Sequence, residues 1–248
     1  MPNTNTTLFT GKSSPYSART LYPNALYDAL FSRIGKKAVI ADLGSGTGKF
    51  TEPLLRHGFE TYAVEPNAEM LDKAAGLSLY PNYHPILAPA EHTTLSSHSI
   101  DLMTCAASFH WFDFPAFQTE ARRILKPDGL AALIWEVRTP SAPVNLAHAE
   151  VLSRFCPAFT SLSHGHDASL SLFPQFFKSY ETLSFPVPRE MDRETFINRT
   201  LSSSYAPKAD DEAYLSLIEA LSALFEAQQN GRKLTVPAAF MLYIGHIQ

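Results

Sequence analysis

The stretch Val39 to Gly48, VIADLGSGTG, closes an apolar run with Asp42 and enters a turn with glycines at 44, 46 and 48. Glycine has no Cβ, so this spacing lets a ligand lie against the bare main chain. A helix begun just after the turn aims its first N–H groups at that ligand. Spacing then separates the nucleotide-type readings. A phosphate-cradling GxxxxGK[ST] loop needs a glycine at 43 and a hydroxyl at 50, where the chain has Leu43 and Phe50. The dinucleotide fingerprint GxGxxG needs its third glycine at Lys49, which leaves a nicotinamide-dependent oxidoreductase as a lower-ranked alternative. Glu65 ends the following strand-like run. Its carboxylate offers acceptors to both hydroxyls of a ribose, with Pro66 and Met70 as apolar neighbours for a flat base.

Period and breakers place these residues on elements. β-like runs occur at Ala38 to Leu43, Thr61 to Val64, Ile86 to Ala90, Ile100 to Ala106 and Leu130 to Val137, with helical or loop material between them. Asn67 caps a helix through Ala75. Asp113 precedes another, whose apolar face is Phe117, Ala121, Ile124 and Leu125 and which stops at LKPDG. Alternating strand and helix implies a doubly wound, mostly parallel sheet with helices on both faces and ligands at the carboxyl ends of the strands. Past Arg138 the chain becomes rich in Pro, Ser and His, with one helix at Asn145 to Arg154. A β-like run follows at Tyr180 to Pro186, then a short helix from near Asp192. A long helix at Asp210 to Asn230 with an apolar stripe and a last strand at Ala238 to Ile244 complete the chain. The expected division is 1–35 as a cap, 36–138 as the cofactor-binding core, 139–178 as an insertion over the active site and 179–248 as strands and helices completing the sheet.

Asp42, Gly44, Gly46 and Gly48 also fit DxGxGxG at every position, and in this the chain resembles the class I S-adenosylmethionine-dependent methyltransferases. It is most similar to the group that looks like trans-aconitate methyltransferases. The likeness continues in order through YAVEPNAEM, APAEHTTL, IDLMTCAASFHWF and LKPDGLAALIW. The resemblance implies a Rossmann-like fold with a seven-stranded sheet, S-adenosylmethionine as cofactor and S-adenosylhomocysteine as its product. It implies cofactor contacts from Asp42, Gly44, Ser45, Gly46, Thr47, Glu65, Pro66, Met70, Ala90, Glu91, Ala106 and Ala107. Upstream, YSARTLYP is similar to the family's N-terminal motif, which gives Tyr16 and Arg19 a lid role. The SxSY run ending in Tyr205 resembles an acceptor-site segment.

Methyl transfer from a sulfonium is an in-line displacement, so holding the nucleophile and excluding water are the main tasks. A carboxylate acceptor is already ionised, whereas a hydroxyl needs a general base, for which His110 at the end of the fourth strand is the candidate. Trp111 is read as a pocket wall and Tyr205 as a second acceptor contact. The aromatic cluster Phe109, Trp111, Phe112 and Phe114 suits an apolar acceptor body. The HGHD run at 164–167 lacks the further ligands of a metal site, so no metal is expected.

Composition narrows the function classes. Twenty Lys and Arg against 24 Asp and Glu give a net charge of −4, without the basic field that binding a phosphate backbone requires, so no nucleic acid partner is expected. With 45% apolar residues across 248, the chain can bury a full core. Two cysteines cannot make a disulfide framework, which suits a reducing compartment. With no export signal and no membrane span in view, the reading is a cytoplasmic enzyme, monomer or homodimer, acting on a small molecule by O-methylation. The runner-up is a protein of the same fold that binds S-adenosylmethionine for non-methylating chemistry.

Overall fold

The computed structural model describes residues 22–203 and 205–248. Tyr16 and Arg19, and with them the lid reading, lie outside these. The chain divides into two compact units. The first draws on Met1–Trp135, Ala168–Phe185 and Met241–Gln248, and the second on Glu136–Asp167 and Pro186–Phe240.

A seven-stranded sheet is built from β1 (Val39–Leu43), β2 (Glu60–Glu65), β3 (Tyr83–Leu87), β4 (Ile100–Ala106), β5 (Leu125–Arg138), β6 (Phe177–Pro186) and β9 (Ala238–Ile247), in the order β3-β2-β1-β4-β5-β9-β6. The pairs β1/β2, β1/β4, β2/β3 and β4/β5 are parallel. This is the mostly parallel Rossmann-like methyltransferase fold expected from the sequence. Ile40 sits opposite Thr61 on one side and Leu102 on the other, so β1 is central. That position explains its unbroken apolar run, since a parallel strand covered on both faces has no solvent side to fill with polar residues. The sheet order reverses direction between β1 and β4, and the crevice at such a switch point is where an open α/β sheet takes its ligands.

The first unit's helices are α1 (Asn24–Phe31), α2 (Thr51–Arg56), α3 (Ala68–Lys73) and α4 (Phe114–Ile124). Asn67 caps α3 by accepting the Glu69 and Met70 N–H groups, and Asp113 caps α4 through the Ala116 N–H. Both caps were legible, because a short polar side chain before an apolar run satisfies an otherwise orphaned donor. On α4 the buried face is Phe117, Ala121 and Ile124, joined by Glu120. The LKPDG segment ends α4 as expected, and the chain is then already in β5. Leu125 and Leu130 oppose Ile100 and Leu102, so the intervening residues bulge.

Three details differ from the sequence reading. The third strand lies at Tyr83–Leu87, not at Ile86 to Ala90, because its buried and accessible residues alternate and no apolar run marks it. The Pro- and His-rich stretch holds two unforeseen helices, α6 (His164–Leu170) and α7 (Phe173–Phe176). A two-stranded sheet of β7 (Arg189–Met191) and β8 (Leu234–Val236) was also unforeseen, since three residues carry no readable period.

The second unit contains that hairpin with α5 (Pro143–Phe155), α8 (Arg193–Leu201) and α9 (Ala213–Gln228). The α9 stripe Leu217, Leu221, Leu224 and Phe225 is buried against Leu152, Phe196 and Leu234, so it is core packing rather than a docking groove. No helix among the described residues is long and apolar enough to cross a membrane.

Candidate functional site

The glycine turn is held by its neighbours' main chain. Gly44 and Ser45 donate to the Val64 carbonyl at 2.8 and 3.1 Å, which ties the turn to the end of β2. Gly44 has φ +70° and Gly46 φ +56°, the left-handed region where a Cβ clashes with the following carbonyl. A Cβ on Gly44 would also stand 2.5 Å from the Ser108 Cβ. Ser108 itself donates from Oγ to the Leu43 carbonyl at 2.6 Å, pinning the end of β4 to the end of β1. The sequence gave no sign of Ser108, because its partner lies 65 positions away.

Glu65 closes the far side of the turn. It is 8% exposed. Its Oε2 accepts the Gly46 N–H at 2.9 Å and its Oε1 accepts the Asn67 N–H at 3.0 Å. Burial pushes its pKa up, and the two backbone N–H groups oppose that rise. Each carboxylate oxygen keeps a second lone pair, so the group retains acceptor capacity for a pair of hydroxyls. Thr47 is partly buried in the turn, Pro66 half-buried and Met70 buried in α3.

Asp42 does different work. It is 1% exposed, and its two oxygens accept from Thr51 Oγ1 at 2.7 Å and Thr104 Oγ1 at 2.8 Å. It joins β1, β4 and the start of α2, and so holds the turn from beneath. Burial lifts its pKa to about 6, against which the two threonine hydroxyls act. A carboxyl whose folded pKa is raised contributes stability fully below its ordinary value near 3.8 and loses it as pH rises through about 6. The Asp42→Asn variant removes that titration. Wild type is therefore expected to gain on the order of 2 kcal/mol relative to Asp42→Asn between pH 7.5 and pH 4. Paired urea titrations at the two pH values measure this, and a pH-independent difference would show that Asp42 does not titrate in this range.

Around the β4 end, Ala106 and Ala107 are partly buried. Ala107 adopts φ +57°, an unusual conformation for a residue with a Cβ, and its N–H is fixed to the Ile134 carbonyl at 2.8 Å. Strain of this kind survives where surrounding contacts over-determine it, as at ligand-facing turns. Ala90 is buried, and Glu91 Oε1 accepts the Asp113 N–H at 2.8 Å, linking the loop after β3 to the start of α4.

The aromatic cluster divides. Phe109 is buried, edge-on to Phe114, Phe117, Trp135, Phe173 and Phe176, so it is core and not an acceptor wall. Trp111 is 38% exposed, next to the His110 ring at 4.7 Å. The Trp135 indole N–H donates to His110 Nδ1 at 3.3 Å. With Nδ1 accepting, the proton of the neutral imidazole resides on Nε2. Tyr205 belongs to the second unit, where it packs edge-on against Phe159 at 5.3 Å. In the HGHD run His164 meets Thr160 and His166 meets Asp167. Among the described residues no group of three or more His, Cys, Asp or Glu is gathered that could hold a metal ion.

A doubly wound sheet with a glycine turn and a buried carboxylate at its switch point defines a nucleoside-binding α/β enzyme. Residues 41–133 match the methyltransferase domain family. An uncharacterized methyltransferase-like protein of Schizosaccharomyces pombe is 31% identical over 203 residues, which are 79% of this chain and 77% of that one. An uncharacterized methyltransferase of Mycobacterium tuberculosis is 34% identical over 120 residues, 48% of each. In fold the chain is similar to a putative type II methyltransferase from Anaeromyxobacter dehalogenans, with TM-score 0.69 at 20% identity over 92% of this chain and 97% of that one. The chain belongs to the methyltransferase-domain family of class I S-adenosylmethionine-dependent methyltransferases, and it is an enzyme of that kind.

Proposed function

We propose that the enzyme methylates an oxygen of a small-molecule acceptor, a carboxylate or a hydroxyl, with S-adenosylmethionine as donor. The reading rests on one observation: a buried carboxylate, Glu65, sits at the N–H of a left-handed glycine turn at the sheet's switch point. That cradle fits the cofactor. Gly44, Ser45, Gly46 and Thr47 let a ligand approach the main chain, Glu65 takes the ribose hydroxyls, Pro66 and Met70 flank the base with Ala90 and Glu91 beside it, and Ala106 and Ala107 face the amino-acid part. The bound cofactor supplies an electrophilic methyl group on a sulfonium. Asp42 acts through the turn it supports, as a positioning residue.

His110, with Nδ1 accepting from Trp135, carries its proton on Nε2 and so orients an acceptor oxygen as a donor rather than deprotonating it. That favours an acceptor already ionised, a carboxylate, for which orientation and exclusion of water suffice. Trp111 and Tyr205 are assigned to the acceptor side, and Tyr16 and Arg19 to the lid. The enzyme is placed in the cytoplasm as a monomer or homodimer, in keeping with Cys105 and Cys156, both buried free thiols.

Titration calorimetry with S-adenosylhomocysteine tests the reading. One site per chain is expected, together with a raised unfolding temperature that NAD does not produce. Absence of heat with correctly folded protein would overturn it.

A further inference from the structure

The second unit holds a concentration of positive charge that the glycine-turn chemistry does not use. Arg189 grips Glu136 with both prongs of its guanidinium, Nε on one oxygen and Nη2 on the other. Arg199 reaches the same carboxylate only at 3.9 Å. Arg138, two residues from Glu136 at the end of β5, donates from Nη1 to the neutral Asn145 Oδ1 at 3.3 Å, a long bond. Asn145 is 1% exposed, and its amide donates to the Thr139 carbonyl at 2.9 Å and the Pro237 carbonyl at 2.8 Å. Both amide protons are thereby committed, and Oδ1 is fixed toward Arg138. The arginine is held in place by a partner that carries no charge.

Three guanidiniums with one carboxylate leave an excess of two positive charges. The residues outside the description, 1–21 and Ser204, include no Asp or Glu and cannot supply the balance. The imbalance is visible in Arg138, whose pKa falls to about 10. Burial contributes most, and repulsion by Arg199 and Arg189 adds to it against the attraction of Glu136. A second feature marks the same neighbourhood. His148 is 3% exposed, and the charge on Arg138 joins burial in pressing its pKa down to about 3, so it is neutral. Its Nε2 meets Thr200 Oγ1 at 3.1 Å, and Thr200 gives its own proton to the Phe196 carbonyl at 2.9 Å. The hydroxyl therefore accepts from Nε2–H. His148 Nδ1 is left as a lone-pair acceptor, buried and without a hydrogen-bond partner among the described residues.

Surplus cations and an unpartnered polar atom, both under cover, cost stability unless something completes them. We propose that Arg138 and Arg199, braced by Asn145 and by the Arg189–Glu136 pair, form a binding site for a small dianionic oxyanion, a dicarboxylate or a phosphate ester. Guanidinium forks match either group with paired, charge-assisted hydrogen bonds, and two charges answer the excess of two. The site requires no cofactor, so it stands or falls independently of the methyl-donor reading.

Calorimetry on the full chain tests it with malonate, inorganic phosphate and acetate at matched ionic strength. At least one dianion is expected to bind ten times or more tightly than acetate, and which one identifies the ligand's anionic group. Arg138→Met and Arg199→Gln are each expected to weaken that binding at least tenfold. Glu136→Gln, which removes the competing carboxylate, is expected to strengthen it several-fold, an effect that a merely structural cluster would not give. Dianion binding no tighter than acetate, or binding unchanged in folded Arg199→Gln and Glu136→Gln proteins, would overturn the proposal.

Discussion

Replacing Gly245 with alanine is expected to cost about 4 kcal/mol or more of stability, among the largest effects a single methyl group can have in this protein. Gly245 lies in β9, which is flanked by the edge strand β6. A Cβ there would run into the Ser179 carbonyl oxygen, with the Tyr180 Cα only 2.6 Å away. These are backbone atoms, so no rotamer change relieves the overlap and β6 itself must move. Its displacement would disturb the aromatic cluster in which Tyr180 packs against Phe173, Phe177 and Tyr243. Gly76→Ala is the control, since a Cβ there meets nothing within 4 Å; it should be neutral or slightly stabilising. Urea unfolding of both variants, with hydrogen exchange at β6, measures the difference. Equal midpoints would mean that β6 does not lie this close to Gly245 in solution.

Gly245 also shows what a sequence can and cannot disclose. Nothing around it in FMLYIGHIQ signals the close approach of Ser179, whereas Gly44 announces itself through the DxGxGxG spacing. The central strands were legible because burial on both faces filters their composition to apolar residues. Strand β3 was not, since at the sheet edge its pattern mixes Tyr83, His84 and Pro85. The caps Asn67, Asp113 and Asp192 were readable because their partners lie two or three residues away. Ser108, the hydroxyls of Thr51 and Thr104 on Asp42, and the grouping of Arg138, Arg189 and Arg199 about Glu136 depend on pairings across 9 to 65 positions. Local pattern has no access to such distances. The sequence thus located the turn and its facing acid, and the fold supplied the side chains that hold them. It also moved Phe109 from the site into the core.

Glu65→Ala is expected to weaken S-adenosylhomocysteine binding about 100-fold. Two hydrogen bonds to a charged acceptor are worth roughly 1.5 kcal/mol each at the low end, and about 2.8 kcal/mol is a factor of 100 in affinity. The conservative replacement Glu65→Gln should not rescue it. Both carboxylate oxygens accept a backbone N–H, from Gly46 and from Asn67, so an amide must turn its NH2 group toward one of these donors. That repulsion pushes the side chain off the turn, and affinity should fall at least tenfold with the fold intact. Affinity should also decline as pH falls, from a higher pH than an ordinary carboxylate would give, because burial raises the Glu65 pKa and only the ionised form accepts from all its partners. Calorimetry across pH on wild type and both variants separates these effects. An affinity within twofold of wild type in folded Glu65→Ala would place the ribose elsewhere, whereas a loss confined to stability would leave Glu65 as a brace for the turn, since its removal strands the Gly46 and Asn67 donors.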